Sequence, residues 1–175
     1  MIAKYMAVWA ATTSLLAAPA AWAQHGPHAA TPYAGLQERQ IKALSSQQID
    51  DLRAGRGMGL ALAAELNGYP GPLHVLELAD ALQLSERQRI ETKRLFEAMK
   101  AETVPIGERI IADEAALDRQ FADKSVTRAS LDEALSRIAR NQADLRAAHL
   151  RYHLAMVELL SPAQTARYAE LRGYK

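Results

Sequence analysis

From Leu131 onward, large side chains return with strict 4-3 spacing: Leu131, Leu135, Ile138, Gln142, Leu145, His149, Tyr152, Met156 and Leu159. Such a heptad seam comes onto one stripe only in an α-helix. A strand would need alternation with period two, and beyond residue 33 no stretch alternates for long enough. Upstream, Phe96, Met99, Thr103, Ile106, Ile110, Leu117 and Phe121 form a second stripe that keeps its phase across Pro105. The spacing predicts helices over 86–121 and 128–159, the first kinked but not broken at the proline. Asp123-Lys124-Ser125 is a loop, and two long helices joined so tightly pack antiparallel.

One short element occurs three times: Leu44-Ser45-x-x-Gln48, Leu84-Ser85-x-x-Gln88 and Leu160-Ser161-x-x-Gln164. A serine at N-cap accepts from the N3 amide, and a glutamine at N3 reaches back to the N-cap amide. Pro162 at the first helical position strengthens the third copy. Asn67-Gly68-Tyr69-Pro70-Gly71-Pro72 reads as a stop followed by a turn. The expected fold class is therefore all-α. It is a long antiparallel hairpin with shorter flanking helices near 46–66, 73–82 and 162–172, and a short turn at 34–43.

Residues 1–23 have the order of a cleaved export signal: Lys4, an apolar run, Pro19, and the small-residue site Ala21-Trp22-Ala23 before Gln24. The run Tyr5–Ala18, diluted by Thr12, Thr13 and Ser14, is shorter than the ~20 residues a membrane span needs. The expectation is cleavage after Ala23, a periplasmic address, no span in the mature chain, a flexible lead-in at 24–35 and a single helical domain at 36–175. The 21 basic residues balance 20 acidic ones, so no general attraction to nucleic acid is expected. With no cysteine, stability must come from packing, and thiolate ligation and cysteine catalysis are excluded.

His149 and His153 stand one turn apart, and Met156 lies about 20° to the other side of His149 on a helical wheel. An i,i+4 histidine pair chelates Zn, Ni, Co or Cu, and a thioether shifts the preference towards softer copper. Further ligands would have to come from elsewhere, and His74 with Glu77 on the helix at 73–82 are the candidates. Against this stands a plain packing role, because His149 and Met156 both occupy the seam, where methionine is ordinary core filler. His25 and His28 form a second pair in the lead-in and read as solvated tail. Arg53-Ala-Gly55-Arg-Gly57-Met-Gly59 lacks the strand, lysine and serine of a phosphate loop, so its glycines are read as a bend or a close helix approach.

No nucleophile elbow, zincin motif or paired-carboxylate context is present, so the chain is not expected to be an enzyme and requires no cofactor. The Ser-capped elements Leu84-Ser85-x-x-Gln88 and Leu160-Ser161-x-x-Gln164, one before and one after the long hairpin of a cysteine-free exported chain, resemble the Spy/CpxP superfamily of periplasmic stress proteins. The resemblance covers roughly 73–172, with serine where that family's L-T-x-x-Q motif more usually has threonine. It implies an ATP-independent chaperone, usually a homodimer, whose cradle holds unfolded envelope proteins. The family's heavy-metal sensor branch implies the alternative, a divalent ion bound by helical histidine, glutamate and methionine and reported to a membrane sensor protein. That branch uses H-x-x-x-M late in the hairpin, whereas this chain has His153-x-x-Met156. A third expectation is a helical adaptor that regulates a membrane sensor kinase.

Overall fold

Three of the helices begin on the repeated Leu-Ser-x-x-Gln element. In the computed structural model, which describes residues 32–174, Ser45, Ser85 and Ser161 each accept from the backbone N–H three residues on. The glutamine side chain at that position accepts from the serine's own N–H in each case. These capping boxes open α1 (Ser46–Ala54), α4 (Glu86–Ala122) and α6 (Pro162–Leu171). Thr127 and Ser130 form a fourth box that opens α5 (Arg128–Leu159). Short helices α2 (Leu62–Glu65) and α3 (Pro72–Glu77) lie between α1 and α4. The leader at 1–23 and the His25–His28 pair lie outside the described residues.

The fold is all-α, with α4 and α5 packed against each other as a hairpin. Cross-helix pairs set its antiparallel register: Asp113 with Arg137, Arg109 with Asn141, and Glu102 with Arg151. Helix α4 is continuous through Pro105. Thr92 and Thr103 are fully buried on α4, and their hydroxyls bond back to the carbonyls of Gln88 and Met99. Among the described residues there is no strand beyond an isolated bridge between Ile41 and Leu44, and no helix long and apolar enough to cross a membrane.

Three expectations need correction. The helix expected over 46–66 stops at Gly55, which takes φ 65° and ends α1. A Cβ there would come 2.6 Å from Thr103 Oγ1, so the glycine is required both by its conformation and by its contact with α4. The helix expected over 73–82 ends at Glu77, and turns carry the chain to Gln83 at φ 50°. The heptad seam of α5 holds only in its second half. In the first half the seam residues Leu135 and Gln142 are exposed, Leu135 at 49 %, which leaves Ile138 as the buried seam member beside the off-seam Ala134. A straight helix drifts ~20° per heptad from a 3.5-residue repeat, so one stripe cannot face α4 along all of α5.

Two apolar clusters result. The first joins Ile49 and Leu52 of α1 to Ile106, Ile110, Leu145 and Ala148 of the hairpin. The second joins Val75 of α3 to Leu82, Leu84, Met156, Leu160 and Tyr168. Along α5, His149 and His153 fall between the last residue of the first cluster and Met156 of the second.

Candidate functional site

Between these clusters a cleft of about 520 Å³ opens where the chain from Ala54 to His74 crosses the hairpin. His149 and His153 line it from α5, His74 from α3, Phe96, Met99 and Lys100 from α4, and Met58 from the loop after α1. Both α5 histidines are buried, at 2 % and 7 % exposure.

The His153 ring is oriented by the turn that precedes α3. Its Nδ1 lies 2.7 Å from the Tyr69 carbonyl oxygen, which can only accept, so Nδ1 carries the proton. The Glu65 carboxylate adds a second negative group 3.7 Å from the same nitrogen. In the neutral imidazole Nε2 then carries the lone pair. It faces Gly71, where a Cβ would sit 3.1 Å from Nε2 and 2.9 Å from Cε1, so no larger residue fits without moving the ring. One turn earlier, His149 Nε2 is buried without a hydrogen-bond partner among the described residues. Burial pushes the His149 pKa down from the usual imidazole value, and the neighbouring His153 lowers it further, both of which favour the neutral ring.

Glu65 is the buried anchor beneath the pair. Its Oε1 accepts from the Tyr168 and Tyr174 hydroxyls, and its Oε2 from the Gly71 N–H. Arg172 stands 3.8 Å away. One carboxylate on a four-residue helix thus ties α2, the turn before α3 and the C-terminal helix together.

The expected site residues are therefore divided. His149, His153 and His74 share the cleft. His74 Nδ1 is 2.9 Å from Glu77 Oε2, an exposed pair in which Glu77 holds His74 from the side. Met156 is fully buried in the second apolar cluster and does not line the cleft, so the packing alternative accounts for it. Among the described residues no three histidine or carboxylate side chains are grouped at ligand spacing.

The repeated motif has a structural part in this arrangement. Gln88 and Gln164 meet amide to amide, and each also donates to a carbonyl near the start of the other's motif, Leu159 and Leu82 respectively. Leu84 and Leu160, which precede the two caps, are buried in the second cluster. Together these contacts seat α6 against the base of the hairpin and place Tyr168 over Glu65. No family model, curated protein or solved structure matches the chain.

Glu65, Gly71, Met58 and Met99 were not foreseen as part of the cleft. The turn signal at Asn67–Pro72 was visible, but its carbonyl at Tyr69 becomes a histidine partner only through a contact 84 residues away in sequence.

Proposed function

We propose that this chain is an exported helical protein that binds a metal ion at the His149–His153 pair and serves metal handling or sensing in the cell envelope. The observation that carries this reading is the state of the two rings. His153 has its Nδ1–H held by a backbone carbonyl with a carboxylate nearby, the outer-shell arrangement that orients ligating histidines. His149 presents a buried nitrogen that no group among the described residues satisfies, which a metal would satisfy. A packing role alone leaves that nitrogen unexplained.

Calorimetry of the purified protein with Zn, Ni, Co and Cu tests the reading. One ion should bind stoichiometrically and lose affinity in both His149→Gln and His153→Gln, with helicity by circular dichroism unchanged. Equal affinity in wild type and both variants would remove it.

A second reading, the holding of unfolded envelope proteins, is favoured by a separate observation. Met58, Leu62, Leu66, Tyr69 and Leu73 are all exposed large apolar residues within one short stretch beside the cleft. Exposed apolar groups concentrated in this way mark interaction surfaces. Suppression of light scattering by a denatured client without ATP, weakened in a Leu62→Ser/Leu66→Ser variant, is the expected result. No suppression across several clients would rule it out.

A further inference from the structure

We infer that the Gly55–Gly59 loop is a soft-metal arm of the same cleft, with the Met58 thioether joining His149 and His153 around a monovalent copper or silver ion. The inference rests on the metal reading above and names the class of ion.

The loop is fixed at both ends. Gly55, at φ 65°, lies against Thr103 of α4, and Gly59 turns the chain again at φ 80°. Between them Gly57 passes beside the His149 ring, close enough that a Cβ would stand 3.9 Å from both Cε1 and Nδ1. Met58 follows immediately, so its side chain starts one residue from that contact. Its backbone is held at φ 44°, a left-handed conformation that an unbranched non-glycine side chain seldom adopts. Such strain persists where the surroundings enforce it, and it gathers at functional positions. The side chain does not fill the core: Met58 is 40 % exposed and lines the cleft. Met99 supplies a second thioether to the same cleft from α4, itself only 7 % exposed.

The donors available determine the ion. Glu65, the one carboxylate among the described residues lining the cleft, already accepts from two tyrosine hydroxyls and a backbone N–H. What remains is imidazole nitrogen and thioether sulfur, a set that suits Cu(I) and its redox-stable mimic Ag(I) better than harder divalent ions. His149 adds to the cleft wall a buried nitrogen without a hydrogen-bond partner among the described residues.

Competition of the full chain against a chromophoric Cu(I) chelator, a parallel Ag(I) titration, and Zn(II) calorimetry test the inference on wild type, Met58→Leu, Met58→Gly and His149→Gln. Met58→Gly relieves the backbone strain, so a folding defect in Met58→Leu is separable from a lost ligand. Both Met58 variants should weaken Cu(I) and Ag(I) at least about tenfold, no less than loss of an outer-shell partner does. Zn(II) binding should stay unchanged in them, and a sulfur shell in the Cu(I) X-ray absorption spectrum should diminish. Unchanged Cu(I) affinity in both Met58 variants overturns the soft-metal arm. If His149→Gln still weakens a metal in that case, the histidine reading survives alone. If it weakens none, both fail.

Discussion

The side-chain amides of Gln88 and Gln164 are hydrogen-bonded to each other in both directions, at 2.9 and 3.1 Å, across 76 residues of sequence. Each amide oxygen also accepts from the N-cap N–H of its own helix. Two local helix starts are thereby joined into one tertiary joint. Gln48, in the first copy of the motif, closes its own capping box in the same way.

That difference is measurable. Gln48→Ala should cost about 1 kcal/mol, the usual effect of losing part of a cap. Gln88→Ala and Gln164→Ala should each cost about 1–3 kcal/mol more, because each also removes the reciprocal amide pair and a bond to a part-buried carbonyl of the other motif. In urea unfolding, the double variant should fall short of the sum of the two by roughly 0.5–3 kcal/mol. Strict additivity would show that the pair is not coupled.

Gly107 sits in the middle of α4 directly against the Leu52 carbonyl, and a Cβ there would overlap that carbonyl, coming 2.9 Å from its carbon. Glycine to alanine inside a helix ordinarily stabilises by about 1 kcal/mol. Here the sign should reverse, with Gly107→Ala losing about 1–3 kcal/mol through overpacking against α1. The midpoint of denaturant unfolding reads the sign directly.

Tyr168 makes stability sensitive to alkali. Burial, then its bond to the Glu65 carboxylate and that group's charge, raise the phenol well above its ordinary value of 10.0. The folded protein therefore keeps a proton that the unfolded chain releases. This contribution is complete below pH 10 and is lost as the pH climbs above it. Tyr168→Phe should be less stable by about 1–3 kcal/mol near neutrality. It should also lose stability less steeply between about pH 9 and 11, as followed by thermal melts.

Gly71→Ala tests the seating of His153 without replacing any proposed ligand. The added methyl would press on the ring, 2.9 Å from Cε1 and 3.1 Å from Nε2, and would meet Glu65 Oε2 only in ordinary contact at 3.6 Å. If the ring must move, metal affinity should drop about 10–100-fold, as for other outer-shell changes, while helicity is preserved. Calorimetry that finds wild-type affinity would mean that the ring position is not important for binding.

The starts of α1, α4, α5 and α6 were legible because their causes are local. Ser85 and Gln88, or Thr127 and Ser130, act across three residues, so the starts of α4, α5 and α6 follow from adjacent chemistry. The choice of buried face was less legible. Leu135 and Ala134 compete for the same helix, and which of them meets α4 depends on how two long helices align.

The sequence by itself determined the helical class, the hairpin, the caps and the chelating spacing of His149 and His153, all of which depend on neighbours within about a turn. Only the tertiary structure decided that Met156 belongs to the core, that Glu65 anchors Tyr168 from 103 residues away, and that the strained Met58 loop lies beside His149. Those outcomes depend on which surfaces meet when the chain closes on itself, and residue spacing along one helix carries no information about the element that will face it.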